Sequence, residues 1–412
     1  MLTAGNAAAT AEKITLLLAG GARSDWQRYR IDSDFLKPAD AWSLSLGLPG
    51  NVFPAQAVRG APVQLQVGGE TVLTGRIDSV QRRVARQGQM TLTLNGRDNA
   101  AILVDCAAPI FSARQLTLDA AIATIVKPLG VKRIRIQADG MTRHDSIHTE
   151  PGERAWDALV RVSAGRGLWP WCDPDGTLVI GGPDYTRPPV ATLVLKPSTG
   201  EVNVLSLEDT SSINGCYSEL TVLAQSHASQ ADNLAVPDLS DTPAPGQNAD
   251  ETGSDSDDDD DDCGCGESGH YSRSRTIKDP DVPYYRPQVL VVGDVDNPEQ
   301  VQFRARKAMA DAHLSGYDLQ IDVPGHRTPG GQLWTPGQRI HVISEPHDID
   351  DTYFLMGRSF SGGRPGGQTT TLRLKEDGIW IPDAYPTSRR HHRHKRKKKT
   401  EEQAVIPVWE MK

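Results

Sequence analysis

Hydrophobic residues alternate with polar or small ones through much of the first hundred positions. Trp42, Leu44, Leu46 and Leu48 fall on one side of an extended segment, as do Val63, Leu65 and Val67, and then Met90, Leu92 and Leu94. A period of two sets one face of a strand against a core and the other toward solvent. Gly68-Gly69, between VQLQV and ETVLTG, marks a hairpin turn, and short alternating strands joined by tight turns predict a small barrel or sandwich. The period changes near residue 115. In TLDAAIATIVKPLG, Thr117 can cap a helix that aligns Leu118, Ile122, Ile125 and Val126, and Pro128 with Gly130 ends it. RIRIQA reads as a strand, GERAWDALVRVSAGRG as a helix with Trp156, Leu159 and Val160 on one face, and LWPWCDPDGTLVIGG as a hairpin turning at Asp175-Gly176.

Beta character returns near residue 190 with ATLVL, VNVLSLED and SELTVLA. Residues 226–284 then lose hydrophobicity and gain Pro, Gly, Ser and like charge, a composition that buries too little surface to offset chain entropy; a disordered or extended insert is predicted. YYRPQVLVVGD follows as an apolar strand. A helix over 297–314 starts at Asn297 as N-cap, with Pro298 in the first helical position and Gln300 completing a capping box. Val301, Ala305, Ala308, Met309 and Ala312 share its inner face. YDLQIDV, QRIHVIS, YFLMGRSF and TTTLRLKE are further strands, Tyr317, Leu319, Ile321 and Val323 alternating strictly. The predicted fold is α+β, mostly β. It has an N-terminal β-barrel unit (1–110), a small α/β unit (111–186), a second β-barrel unit with the helix and the insert (187–380), and a basic tail (381–412).

Composition adds limits. At 412 residues the chain exceeds one ordinary core, and the polar insert and tail explain much of its mean hydropathy of −0.44. No apolar stretch has the length of a membrane helix, so no membrane anchor is expected. Ile14–Leu18 is too short for a signal-peptide core, has no basic region before it, and reads as the first strand. Five cysteines (Cys106, Cys172, Cys216, Cys263, Cys265) are too irregular for a disulfide scaffold and fit folding in a reducing cytoplasm. The net charge of −9 conceals ten acidic residues between Asp250 and Glu267 and eight basic ones between Arg389 and Lys399. The remaining body is mildly acidic, with no sign of a nucleic-acid surface.

Candidate chemistry is sparse. Consecutive aspartates at 257–262 lack the spaced ligands and glycine turn of a calcium loop. Cys263 and Cys265 lack a second pair at zinc spacing and read as free thiols. His347, Asp348, Asp350 and Asp351 fall after Pro346 and read as a hydrated loop between strands. Arg97, Asp98 and Asp78 sit at a strand end, where an ion pair or subunit contact is expected rather than catalysis. In the tail, Arg396, Lys397 and Lys398 belong to a basic block suited to an acidic neighbour. No GxSxG, HExxH, P-loop or GxGxxG motif is present, so no cofactor, metal or catalytic residue is assigned.

The segments VLTGRIDSVQRR (72–83), LNGRDNAAILVDCAA (94–108), AWDALVRVSAGRGL (155–168), YYRPQVLVVGD (284–294) and GQLWTPGQRIHV (331–342), in this order and spacing, resemble the Mu-like baseplate hub proteins of contractile phage tails. The resemblance implies two tube-type β domains per subunit and a homotrimer with a pseudo-sixfold ring. That ring would join the tail tube, or its initiator proteins, to the central spike, below the tape-measure protein. Genomic DNA would cross the lumen without specific binding, as an acidic or neutral wall favours. The expected location is the virion tail baseplate, assembled in the host cytoplasm. The insert and tail inherit no role from the family. The alternatives are the equivalent hub of a secretion or bacteriocin particle, a tail-borne cell-wall hydrolase, and a carbohydrate-binding receptor. The hydrolase needs a catalytic carboxylate pair or metal triad, and the receptor needs aromatic-lined sites in a chain only 6% aromatic.

Overall fold

A computed structural model describes residues 12–48, 52–137, 145–164, 168–225, 271–292, 298–364 and 366–378. Strand is the dominant element and helices are few. The first β unit contains β1 (Ile14–Leu18), β2 (Gly21–Arg23), β3 (Arg28–Asp34), β4 (Ala41–Leu48), β5 (Pro62–Val67), β6 (Glu70–Val84) and β7 (Met90–Asp98). Its alternating residues behave as their spacing predicts: Trp42, Leu44, Leu46, Val63, Leu65, Val67, Leu92 and Leu94 are all buried in one core. Gly68 and Gly69 both adopt positive φ at the β5–β6 turn, a conformation that favours glycine.

The middle unit comprises α1 (Ala101–Asp105), β8 (Ser112–Leu116), α2 (Leu118–Val126), β9 (Ile134–Ile136), β10 (Asp145–His148), α3 (Ala155–Ala164), β11 (Trp169–Cys172) and β12 (Leu178–Gly181). Its separate core joins Leu118, Ile122, Ile125 and Val126 of α2 to Trp156 and Leu159 of α3 and to Leu178 and Ile180 of β12. The helix ends where Pro128 enters a 3₁₀ turn and Gly130 takes a left-handed conformation.

After β13 (Ala191–Lys196), the expected single strand VNVLSLED is split into β14 (Glu201–Val202) and β15 (Ser206–Ser211). Asn203 causes the break. Its own amide still donates to the Val194 carbonyl at 3.1 Å, while its side chain accepts from the Val194 amide at 2.7 Å and donates to the Thr192 carbonyl at 3.0 Å, holding the strand end as the chain crosses to a new partner.

The insert expected over 226–284 ends earlier than its composition implies. After β16 (Glu219–Gln225), Tyr271–Lys278 forms β17, antiparallel to β16, and β18 (Pro287–Val292) runs parallel to β16 on its other side. Helix α4 (Pro298–Gly316) covers one face of this sheet through Val301, Ala305 and Met309, against Leu220 and Val222. In β17 the ladder and a Thr221–Thr276 side-chain hydrogen bond carry the pairing, and Ile277 supplies the apolar contact, so a polar sequence still makes a strand. Asn297, the expected cap, lies outside the described residues, as do residues 226–270.

The second β unit continues with β19 (Tyr317–Pro324), β20 (Arg339–Ser344), β21 (Ile349–Gly363) and β22 (Gln368–Glu376). Asp350 and Asp351, expected in a hydrated loop, lie within β21 opposite Ile343 and Val342, whereas His347 and Asp348 occupy the turn as expected, Asp348 at φ 53°.

The two β units repeat one plan. In the first, β4 to β7 have 8, 6, 15 and 9 residues; in the second, β19 to β22 have 8, 6, 15 and 9. The neighbour order β3-β4-β7-β6-β5-β1 is matched by β15-β19-β22-β21-β20-β13. Each long strand carries a bulge at the same place, between Ile77 and Ser79 in β6 and between Leu355 and Gly357 in β21. The copies differ at the end of the row: β1 is antiparallel to β5, whereas β13 is parallel to β20. The units were expected as two barrels. Instead they merge into one 14-stranded sheet, and among the described residues no pairing closes either unit on itself. The link is β21, whose first half pairs with β20 and whose second half extends past β20 and takes β3 of the first unit as its partner.

Candidate functional site at the joint of the β units

Seven consecutive residues of β21, Gly357–Gly363, pair antiparallel with Arg28–Asp34 of β3. Two glycines permit the approach: a side chain at Gly357 would strike Asp34, and one at Gly362 would strike the Tyr29 ring. Phe360 and Ile31 lie opposite each other, both fully buried, and the core runs from Leu16 of the first unit to Leu374 of the second without a gap.

Buried polar groups lock the same seam. The Tyr29 hydroxyl and His326 Nε2 are 2.7 Å apart, and His326 Nδ1 lies 3.0 Å from the Thr370 hydroxyl. Burial, then the Arg358 charge, lower the His326 pKa to about 4, so the imidazole is neutral at pH 7. Arg358 donates to the Ile31 carbonyl at 3.0 Å and stacks 3.7 Å from the Phe360 ring centroid; burial lowers its pKa to about 10. Arg373 of β22 bridges Asp34 of β3 at 2.6 Å and Asp318 of β19 at 3.2 Å. On the far side, Gln368 bonds both the amide and the carbonyl of Glu12, and Arg327 pairs with Glu12 and with Glu70. Charged groups bridge the halves on both sides of the aromatic core, so sliding one half against the other would strand buried polar atoms.

Beneath the joint, Asp40 accepts the Asp34 amide at 2.9 Å and its carbonyl accepts the Asp98 amide at 2.9 Å. Burial pushes the Asp40 carboxyl up to about 6. Burial, and then the Asp40 charge, also raise Asp98, while burial raises the nearby Cys172 thiol. Asp98 is buried and accepts the Ala100 amide at 2.9 Å, which starts α1, whereas Arg97, its neighbour, points the other way. Arg97 bonds Asp78 of β6 at 2.6 Å and Asp105 of α1 at 2.6 Å, and these carboxylates raise its pKa. The structure therefore joins Arg97 to Asp78 and adds Asp105, a partner that sequence reasoning missed. Asp98 stays apart from that pair. Trp169 donates to the Phe35 carbonyl at 2.5 Å and ties the middle unit to the joint.

Arg396, Lys397, Lys398, Cys263 and Cys265 lie outside the described residues. Among the described residues no group of three or more His, Cys, Asp or Glu could hold a metal ion, and no helix is long and apolar enough to cross a membrane. His347 bonds Ser344, and His341 pairs with Asp350 at 3.1 Å.

The arrangement is that of a scaffold: two copies of one β plan fused through a shared sheet, with the charged residues described above bonded across its joints. Known proteins give the class a family. Four family models match successive parts of the chain: the N-terminal domain of Mu phage baseplate assembly protein GpP-like proteins (13–98), the second domain of baseplate hub protein gp44-like proteins (100–182), the third domain of NMB1110-like tail proteins (264–309), and a tail protein C-terminal domain (311–379). The baseplate hub protein gp44 of Escherichia phage Mu is 25% identical over 382 residues, 90% of this chain and 89% of gp44. The crystal structure of the tail protein from Neisseria meningitidis MC58 is 36% identical, with a TM-score of 0.74 over 92% of this chain and 100% of that one. The 43 kDa tail protein of prophage MuSo2 from Shewanella oneidensis shares the fold at 21% identity, with a TM-score of 0.69 over 91% of this chain and 99% of that one. The chain belongs to the Mu-like baseplate hub proteins of phage tails.

Proposed function

We propose that this chain is the structural, non-enzymatic hub of a contractile-tail baseplate. Three copies form a ring that joins the sixfold tail tube, or its initiator proteins, to the threefold central spike. The observation that carries this reading is the repeat: one chain holds two β units of the same plan in a single sheet, so three chains present six similar units. Such a ring matches sixfold symmetry on one face and keeps threefold symmetry in its middle and α4 units. The joint itself agrees, since buried Arg358 bonds Ile31 and buried Asp34 bonds Arg373 across it.

Within the particle the hub sits in the tail of the virion, below the tape-measure protein, and its assembly takes place in the host cytoplasm. DNA passes through the opening without a specific site. Arg97, Asp78 and Asp98 hold the end of the first β unit against the middle unit. The basic tail, with Arg396, Lys397 and Lys398, serves as a docking segment for an acidic neighbour. Sedimentation equilibrium of the full chain tests the assembly: a trimer is expected. A monomer that cleaves peptidoglycan would replace this reading with that of a tail-borne hydrolase.

A further inference from the structure

The repeat exposes two strand edges that are the counterparts of the internal joint. Matching the bulges equates Ser79 with Gly357 and Ile77 with Leu355, so the second half of β6 is the counterpart of the β21 segment that pairs with β3. Following the ladders through β7 and β4, and through β22 and β19, equates β15 with β3, with Asp209 for Ile31 and Glu208 for Arg30. Among the described residues β15 pairs with β19 alone, and β6 beyond Ile77 pairs with β7 alone. Each unit thus has one donor edge and one acceptor edge. Inside the chain one such pair is used, and one is left over.

We infer that the leftover edges meet between copies: β6 of one subunit pairs antiparallel with β15 of the next, in the register of the internal joint. That register follows from geometry alone and sets Arg82 opposite Asp209, Arg83 opposite Glu208, and Val84 opposite Leu207. It is also the register that charge selects. Residues 79–95 hold Arg82, Arg83 and Arg86 and no acidic residue, while β15 carries Glu208 and Asp209 and no basic one. Antiparallel pairing then sets opposite charges face to face on both sides of the sheet. Val84, 62% exposed in the single chain, gains an apolar neighbour in Leu207, which already packs on the core.

Like edges repel. Two β6 edges would oppose arginines and two β15 edges would oppose carboxylates, so a twofold dimer is disfavoured and head-to-tail addition is favoured. The internal joint uses buried Phe360 and Ile31, whereas the external one uses exposed charged residues, of which Arg82 also donates to the Ala57 carbonyl at 2.7 Å within its own unit. Three subunits would then close a ring of six joints of one kind, three within chains and three between them. This inference rests on the trimeric reading above and supplies its interface.

The test uses the full chain. Reversing one edge (Arg82→Glu with Arg83→Glu, or Glu208→Arg with Asp209→Arg) should weaken each interface about tenfold or more and shift sedimentation from trimer toward monomer. Reversing both edges in one chain should restore the trimer, which no folding defect would do. As a register test, Arg83→Cys combined with Glu208→Cys should form covalently linked subunits on oxidation, whereas Arg83→Cys with Ser206→Cys should link far less. A wild-type trimer that tolerates both single-edge reversals, or that cross-links equally in both cysteine variants, overturns the interface and leaves the trimeric reading standing. A wild-type chain that stays monomeric overturns both.

Discussion

Replacing Phe360 with alanine tests whether the two β units form one cooperative structure. Phe360 is fully buried on β21, opposite Ile31 of the first unit, with the His326 ring 4.5 Å and the Arg358 guanidinium 3.7 Å from its centroid. Removing a buried phenylalanine costs about 3–5 kcal/mol, and the lost guanidinium contact lies within the scatter of that figure. A loss near 4 kcal/mol corresponds to roughly a thousandfold faster exchange of amides that open only by global unfolding. Native-state hydrogen exchange reads each strand separately. Because the core is continuous, amides of β4 and β7 in the first unit should lose as much protection as those of β19 and β22 in the second. If β4 and β7 keep their protection while β19 and β22 lose it, the units are independent and the fused-sheet reasoning fails.

Three further outcomes follow from the same contacts. Asp40 has a folded-state pKa of about 6, above its unfolded value, so its charged form opposes folding at high pH, and the cost shrinks as pH falls from about 6 toward the unfolded carboxylate value of about 4. Asp40→Asn should therefore stabilise the protein by about 1–3 kcal/mol at pH 8 and change little near pH 4, as read from urea midpoints; equal effects at both pH values would refute the burial argument. His326 should remain neutral at pH 5.5 in an NMR titration, because burial depresses it; its contribution to stability is present above the unfolded histidine pKa and is lost as pH falls from about 6.5 through the folded value of about 4. An imidazole that titrates near 6.5 would show that the Tyr29–His326–Thr370 seam opens. Arg97→Met should cost about 1 kcal/mol, less in high salt, because both of its ion pairs are partly exposed; a loss above about 3 kcal/mol would mean that the pair is shielded far more than its exposure implies.

Much of the local structure was legible in the sequence because alternation and capping are local signals. Trp42, Leu44 and Leu46, the α2 and α3 faces, and Tyr317 to Val323 took the places their spacing required. The repeat was harder to see. MTLTLNGRD and QTTTLRLKE share alternating threonines and a basic-acidic ending, but the long strands ETVLTGRIDSVQRRV and IDDTYFLMGRSFSGG have little in common. Their equivalence lies in length, bulge and neighbours, which are properties of pairing. The joint was hidden for the same reason, since β3 and β21 are far apart in the chain and no local pattern records which edges meet. Tyr271–Lys278 was lost to its own polarity. A strand at the side of a small sheet needs few apolar residues, and hydrophobic patterning cannot register one held mainly by its ladder. Arg358 gave no signal because its burial arises only when the two halves close. Of the candidate site, Arg97 with Asp78 could be anticipated at a strand end, whereas Asp105 required the position of α1.

The most direct test of the hub account is an electron-microscopy reconstruction of the full chain, alone or within a tail particle. A threefold ring is expected in which six β units alternate as first and second copies of one plan, with β6 of each subunit against β15 of the next. A single copy per particle, a twofold dimer, or a ring whose subunits meet through the α4 units with both sheet edges left in solvent would contradict it.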